Sequence, residues 1–201
     1  MTPILWGRAT SVNVQKVMWA LQELQIPHQR LDAGGRYGWP AALAQLNPNR
    51  RVPVWQEDEL VLWESHAILR YLAGKRLGPD PLGDQWMEFT TSTLQPAFLG
   101  VFYQKVRFGP AERDPAVLAA HQADLEAALD AVDAHLRTAE WLGGSFSVAD
   151  IAMGSMMYRY FDMEIPRGTR HGLAAWVERL KRRPAYRAVV ETSYEELRAG
   201  A

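Results

Sequence analysis

Residues 47–72, NPNRRVPVWQEDELVLWESHAILRYL, predict a tight hairpin that leads directly into a helix. The two strands are expected at Val52–Trp55 and Leu60–Trp63, with an acidic turn between them. Glu64 and Ser65 then stand at the start of the helix. A strand edge before a proline offers backbone hydrogen bonds, and a helix N-terminus offers N–H groups to a carboxylate. The segment therefore predicts a binding site for an extended, peptide-like ligand.

The residues before the hairpin alternate short apolar runs with helical patterns. Together with the helix that follows the hairpin, they predict the order β-α-β-α-β-β-α, in which the first two strands form a right-handed parallel unit. The expected elements are a strand at Pro3–Trp6, a helix from Val12 to about Gln25, a strand at His28–Ala33, a short helix at Ala41–Leu46, and a helix from Ser65 to about Arg76. This order is the layout of a thioredoxin-like α/β domain.

Strand patterns end at a linker expected over Gly74–Gly83, which contains GPDPLG. Beyond it, apolar residues recur only at helical spacing, and Pro96 is expected to kink the first long helix. The further helices are expected at Leu118–Leu136, at Ser147 to about Tyr160, at Leu173–Lys181 and at Ala185–Leu197. We therefore predict two domains, an α/β domain over residues 1–77 and an all-helical domain over residues 85–201.

Composition excludes several functions. The 22 basic and 23 acidic residues give a net charge of −1, whereas a nucleic-acid-binding surface needs an excess of positive charge. Cysteine is absent, so disulfides, thiolate metal ligands and cysteine nucleophiles are excluded. The N-terminus lacks a signal-peptide pattern, no apolar run has the length of a membrane span, and the histidines show no metal-ligand spacing. We expect a cytoplasmic protein without a metal, nucleic-acid or membrane partner.

Three motifs resemble those of the cytosolic glutathione transferase family, and the resemblance covers essentially the whole chain. They are NP-x-x-x-VPV followed by LWESHAILRYL, the segment LWGRATSVNVQK after the first strand, and SFSVADIA at residues 145–152. In the third motif, Ser147 and Asp150 are expected to cap a buried helix. The resemblance implies a homodimeric enzyme that uses glutathione as co-substrate, without metal, to attack a small hydrophobic electrophile.

The residue that activates the glutathione sulfur is left open between Ser11 and Asn13, with Thr10 as a further alternative. Ser11 follows the first strand, as the catalytic serine does in theta- and delta-like members, and a hydroxyl at a helix start favours a thiolate. Asn13 could donate an amide N–H instead. As ordinary helix residues, Ser11 would be an N-cap and Asn13 would bond locally.

The resemblance also implies which residues bind the tripeptide. Ser65 would bind the γ-glutamyl carboxylate and Glu64 the ammonium group, although both also suit an ordinary helix start. Val52 would pair its backbone with the cysteinyl part, and Pro53 would be a cis-proline that turns this backbone outward.

Further residues would complete the site. Arg51, with Arg50 as the neighbouring alternative, would meet the glycyl carboxylate, and Trp39 could cover the glycyl end. The electrophile would lie between the domains, where Tyr103 and Arg107 share one helix face. A dehalogenase, isomerase or peroxidase on the same fold, or a non-catalytic interaction protein, remain the alternatives.

Overall fold

The computed structural model describes residues 2–74 and 81–200. The first part is an α/β unit with the predicted element order. Its strands are β1 (Ile4–Trp6), β2 (Gln29–Leu31), β3 (Val54–Glu57) and β4 (Leu60–Trp63), and its helices are α1 (Val12–Glu23), α2 (Ala41–Leu46) and α3 (Ser65–Gly74). The strands form a sheet in the order β2-β1-β3-β4, in which β1 runs parallel to β2 and antiparallel to β3. The thioredoxin-like layout is confirmed.

The end of β1 lies close against the start of α1, which places the loop between them at the edge of the sheet. Gly7 makes this approach possible, because its φ is +150° and a Cβ there would lie 2.4 Å from Cγ2 of Val14. Leu5 on β1 and Trp55 on β3 are fully buried beneath α1. The sheet therefore holds the loop of residues 7–11 close against the N-terminus of α1.

The second part is helical. Its helices are α4 (Pro81–Phe89), α5 (Gln95–Phe102), α6 (Pro115–Leu136), α7 (Val148–Gly154), α8 (Met157–Asp162), α9 (His171–Lys181) and α10 (Pro184–Val189). None of the helices in the described part of the chain is long and apolar enough to cross a membrane.

The kink expected at Pro96 takes the form of a wide helical turn. The helical path continues from α4 to α5 through a π-helical segment at Thr90–Leu94, directly before the proline. Proline has no N–H to donate, and a widened turn removes its clash with the preceding turn. The hydroxyls of Thr90 and Thr91 donate to the carbonyls of Trp86 and Met87, at 2.7 and 3.2 Å. A second π-helical segment, Tyr103–Arg107, extends α5.

The S-x-x-D motif caps α7 as predicted. The Ser147 hydroxyl accepts from Ala149 N, and Asp150 Oδ2 accepts from Ser147 N at 3.0 Å. Asp150 Oδ1 also accepts from the indole of Trp176 at 2.8 Å. Burial raises the pKa of Asp150 to about 6. The motif thus joins the α7 start to α9, which carries Trp176.

Two predicted helices are shorter than expected. The helix expected from Ser147 to about Tyr160 is divided into α7 and α8, because the Ser155 hydroxyl donates to the Ile151 carbonyl and the chain tightens there. The helix expected over Ala185–Leu197 ends at Val189. The tail beyond it turns back over the bundle, where Tyr194 is buried and donates to Asp162 at 2.6 Å.

The boundaries of two further predictions differ. The first hairpin strand begins at Val54 rather than Val52. Gly74 belongs to α3 and residues 81–83 belong to α4, so the ends of the expected linker are helical. The rest of that linker, the predicted helix end at Arg76 and the predicted domain boundary at residue 77 lie outside the described residues, and the division at 77 and 85 stays a prediction.

The two parts pack together through α1. Trp19 of α1 is fully buried against Phe146 and Tyr186 of the helical part. At the end of α1, Glu23 accepts two hydrogen bonds of 2.8 Å from the guanidinium of Arg183. Helix α1 thus lies between the sheet and the helical bundle, and its N-terminus is at the boundary of the two parts.

Candidate active site

A cavity of about 450 Å³ lies between the sheet edge and the helical bundle. The α/β part contributes the loop before α1, the loop after β2 and the hairpin, and the helical part contributes α5, the π segment after it, α8 and the tail. The lining residues are Arg8, Thr10, Ser11, Val12, Asn13, Gly34, Gly35, Trp39, Arg50, Arg51, Val52, Gln95, Leu99, Phe102, Tyr103, Arg107, Arg159 and Leu197. Eight of the predicted site residues are among them, and Pro53, Glu64 and Ser65 are not.

Ser11 occupies the N-cap position of α1, but its side chain makes no capping hydrogen bond. The backbone instead fixes its position, because Ser11 N donates to the Arg8 carbonyl at 3.1 Å and Ser11 O accepts from Gln15 N at 2.8 Å. Ser11 is therefore the N-cap by position, as expected of an ordinary helix start, but its side chain does not cap the helix. Ser11 lines the cavity at the N-terminus of α1, so its uncapped hydroxyl can serve a ligand there.

The rival sulfur activators are both engaged by protein groups. Asn13 Oδ1 accepts a hydrogen bond of 3.4 Å from the Ser65 hydroxyl, which links the starts of α1 and α3. The Thr10 hydroxyl donates to Glu196 in the tail, and the Thr10 carbonyl accepts from Arg159 at 2.8 Å. Thr10 thus holds the tail against the loop before α1.

The start of α3 differs from an ordinary helix start. Ser65 is buried, whereas Glu64 is exposed and has a φ of +71°. Glu64 nevertheless provides the first carbonyl of the helix, which accepts from Ile68 N at 3.1 Å. This geometry exposes the Glu64 side chain beside the N–H groups of the α3 start.

The segment that leads into the hairpin contains a cis peptide bond between Val52 and Pro53, as expected. Asn47, which is 1% exposed, anchors it by donating to the Arg51 carbonyl at 2.9 Å and accepting from Asn49 N at 2.9 Å. Val52 is thereby presented to the cavity, while Arg51 extends into solvent at its rim. Asn47 belongs to the NP motif of the sequence, but the motif alone did not predict this anchoring role.

The opposite wall comes from α5 and the π segment after it. Tyr103 is 40% exposed and stacks on Phe108, with ring centroids 5.8 Å apart. The Arg107 guanidinium lies 6.0 Å from the centroid of the Tyr103 ring. The predicted pair therefore shares one face of the helical turn and lines the cavity, together with Phe102.

Two arginines of the cavity were missed by sequence reasoning. Arg8 lies within the quoted segment LWGRATS, so its place between strand and serine could have identified it. Arg159 lies 149 residues after Thr10, and no local signal connects the two. Arg159 is 3% exposed and also donates to Gln15 Oε1 at 3.2 Å. Burial lowers its pKa to about 10.

A buried polar chain lies directly behind this wall. Lys16 Nζ is 3.0 Å from His66 Nε2 and 2.5 Å from Gln95 Oε1, and Thr91 Oγ1 is 2.8 Å from His66 Nδ1. Burial lowers the pKa of Lys16 to about 7 and that of His66 to about 3. The chain connects α1 and α3 to α5, and it fixes Gln95 at the cavity. No cluster of three metal-binding side chains occurs in residues 2–74 and 81–200.

Comparison with known proteins identifies the family. The profile "Glutathione S-transferase, N-terminal domain" matches residues 10–75, and "Glutathione S-transferase, C-terminal domain" matches residues 115–199. Glutathione S-transferase GstB of Escherichia coli K12 is 38% identical over 200 residues, which cover 92% of this chain and 96% of that protein. Glutathione S-transferase 4 of Zea mays is 30% identical over 206 residues, covering 93% and 91%. The glutathione-bound theta class enzyme of Xanthomonas axonopodis pv. citri superposes with a TM-score of 0.90 at 41% identity, covering 96% of this chain and 98% of that one. The chain therefore belongs to the cytosolic glutathione S-transferase family.

Proposed function

We propose that this protein is a glutathione transferase that binds glutathione along the hairpin and transfers its sulfur to a small electrophile in the cavity. The observation that carries the proposal is the free hydroxyl of Ser11 at the N-terminus of α1, in the wall of a cavity that also contains Val52 and Arg51. The 41% identical Xanthomonas relative was crystallised with glutathione bound, which supports the choice of co-substrate.

Activation of the thiol follows from the start of α1. A free thiol has a pKa of about 8.5 and is mostly protonated at neutral pH. The Ser11 hydroxyl can donate to sulfur, and the N-terminus of a 12-residue helix adds partial positive charge beside it. Both interactions stabilise the thiolate more than the thiol, so they lower the thiol pKa.

Ser11 is preferred over Asn13 and Thr10 as the sulfur activator. The Ser11 hydroxyl has no hydrogen-bond partner among the described residues, whereas the Thr10 hydroxyl is bound to Glu196. Asn13 receives a hydrogen bond from Ser65, which leaves its amide N–H groups free to donate. We therefore assign sulfur activation to Ser11 and a supporting role to Asn13.

The tripeptide would extend from α3 to the hairpin. Ser65 and the α3 N-terminus would bind the γ-glutamyl carboxylate, and the exposed Glu64 would pair with the ammonium group. Val52, presented by the cis bond to Pro53, would bond the cysteinyl backbone.

At the other end, the glycyl carboxylate would meet Arg51 or Arg50, and Trp39 would cover it. Tyr103 and Arg107 would face the electrophile on the opposite side of the cavity. We also propose that the enzyme is cytoplasmic, acts as a homodimer, serves detoxification and needs no metal.

Calorimetric titration with glutathione tests the binding half of the proposal. Wild type should bind, and Ser65→Ala should bind about tenfold or more weakly, because a hydrogen bond to a carboxylate is lost. Ser145→Ala changes an exposed serine far from the cavity and should bind like wild type. Absence of binding by wild type would overturn the proposed function.

Ultraviolet titration of bound glutathione tests the sulfur activator. The thiolate absorbs more strongly than the thiol, so its pKa can be measured in the complex. Ser11→Ala should raise that pKa by about one unit or more, and Asn13→Ala should raise it less. If Asn13→Ala alone raises the thiol pKa, the assignment to Ser11 is wrong.

A further inference from the structure

The cavity contains an unbalanced positive charge. Five of its lining residues are arginine, and none of the described residues that line it is aspartate or glutamate. The arginines are Arg8, Arg50, Arg51, Arg107 and Arg159. A neutral apolar electrophile would leave most of this charge unused.

The proposed glutathione site accounts for two of the five. Arg50 and Arg51 flank Val52 on the hairpin, where the glycyl carboxylate would lie. The γ-glutamyl carboxylate would be bound at the other end of the tripeptide, at the start of α3. Arg8, Arg107 and Arg159 therefore remain without a role in binding glutathione.

Arg159 is fixed as part of this wall. Its guanidinium lies 5.4 Å from the ring centroids of both Phe102 and Tyr194, and it donates to the Thr10 carbonyl and to Gln15. Its Nε is buried without a hydrogen-bond partner. No carboxylate pairs with Arg159 among the described residues, so its positive charge is directed at the cavity without compensation.

Arg8 and Arg107 are the cations that a ligand can reach from opposite walls. Arg8 runs along the Gly34–Gly35 backbone, where a Cβ on Gly34 would lie 3.3 Å from its Nη1, and its Nε is buried without a partner. Neither arginine forms a salt bridge with a described residue. Burial lowers the pKa of Arg8, the positive charge of Arg107 lowers it further, and Glu196 offsets only part of this lowering, so the two guanidinium groups repel each other.

The nearby carboxylate of Glu196 offsets part of the charge of Arg8, but it is already engaged by other groups. Glu196 in the tail accepts from the Thr10 hydroxyl and forms a 2.9 Å ion pair with Arg36 outside the cavity. An anion placed between Arg8 and Arg107 would replace their repulsion by two charge-assisted hydrogen bonds. Leu99, Phe102 and Leu197 provide apolar surface beside that position.

We infer that the preferred electrophile carries an anionic substituent, a carboxylate in the first instance, which Arg8 and Arg107 bind while its apolar body lies against Leu99 and Phe102. This inference rests on the proposed glutathione transferase function and names its substrate class. In a substitution on an aryl chloride, the glutathione sulfur forms a bond to the ring carbon. Chloride leaves with the electrons of the carbon–chlorine bond, and the thiol proton passes to solvent.

A matched pair of electrophiles tests the inference. We would measure kcat/KM for 4-chloro-3-nitrobenzoate and for 4-chloro-3-nitrobenzamide at saturating glutathione, each divided by its uncatalysed rate with glutathione. The benzoate should be favoured about tenfold or more by wild type. Arg107→Gln should reduce that preference about tenfold, and added salt should reduce it in wild type.

Lys105→Gln is the control, because Lys105 lies on the same π segment but does not line the cavity. It should keep the wild-type preference. A wild-type ratio of benzoate to benzamide kcat/KM of one or less would overturn the inference, and so would an equal loss for both substrates in Arg107→Gln. If calorimetry still shows glutathione binding, the proposed function stands. Failure to bind glutathione would overturn both.

Discussion

Lys16 should make the fold more stable as the pH rises from about 7 to about 10. Its amine is 1% exposed and lies within hydrogen-bond distance of His66 Nε2 and Gln95 Oε1. A neutral amine can donate to Gln95 and also form a hydrogen bond with His66 Nε2. Burial lowers its pKa from 10.5 to about 7, and the charge of Glu64 offsets this only in part. Folding therefore favours the neutral form.

The magnitude follows from the two pKa values of Lys16. Above pH 10.5 the amine is neutral in both states, and the full stability of the fold is present. As the pH falls below 10.5, the unfolded chain binds a proton that the folded protein does not, so stability is lost until the folded amine is protonated below about pH 7. Each pKa unit is worth about 1.4 kcal/mol, so the loss is about 3 kcal/mol at pH 8.5 and on the order of 4 to 5 kcal/mol at pH 7.

Urea unfolding between pH 7 and 10.5 measures this effect for wild type and Lys16→Met. The variant loses hydrogen bonds and has its own stability, so the slope of unfolding free energy against pH is the relevant quantity. The wild-type slope should exceed the variant slope by about 1 kcal/mol per pH unit. Lys181→Met, which removes an exposed lysine paired with Glu178, should keep the wild-type slope. Parallel curves for wild type and Lys16→Met would refute the reasoning.

Two further substitutions test packing away from the cavity. Asp150→Ala should lower the unfolding free energy by about 3 to 5 kcal/mol, because buried N–H groups, including the Trp176 indole, lose their acceptor; a loss under about 1 kcal/mol in urea unfolding would contradict this. Gly172→Ala should cost about 2 kcal/mol or more, since its Cβ would lie 2.7 Å from the Asp133 carbonyl oxygen. Gly74→Ala, with no atom of residues 2–74 or 81–200 within 4 Å of the added Cβ, should be neutral or stabilising by up to about 1 kcal/mol. Equal melting temperatures for the two glycine variants would count against the clash.

Local sequence patterns predicted most of the secondary structure because each element carries its own signal. The hairpin has two apolar runs on either side of an acidic turn, and α6 has an apolar stripe that includes Leu125, Leu129, Val132 and Leu136. Such signals require no knowledge of the rest of the chain. The capping box at Ser147 and Asp150 is equally local, since its two members are three residues apart.

The missed helix ends depend on contacts that a local pattern does not contain. The apolar spacing continues through Ser155, yet α7 ends there, where the Ser155 hydroxyl and its backbone N–H both donate to the Ile151 carbonyl. The tail leaves its helical pattern because Tyr194 finds a partner in Asp162, 32 residues away. The first helix end follows from a local side-chain bond, and the second from a tertiary hydrogen bond that outweighs helix propensity.

The candidate site likewise contains residues that local sequence patterns predict and features that they do not. Ser11, Val52 and Arg51 could be predicted because each lies beside a strand end or helix start that the sequence marks. The free state of the Ser11 hydroxyl could not, since an N-cap serine usually bonds its own helix. That difference separates an available hydroxyl from a structural one, and only the backbone geometry shows it.

The charge of the cavity shows why composition alone misjudges a site. The chain has a net charge of −1, which excludes a large cationic surface but says nothing about where single charges lie. Folding brings Arg8 from the first loop, Arg107 from the π segment and Arg159 from α8 to one cavity, while Glu196 is directed to Arg36. A cleft with low-dielectric walls concentrates the field of such charges. A nearly neutral protein can therefore present a strongly cationic binding site, and the partners of each arginine, rather than the sum of charges, decide which ligand it attracts.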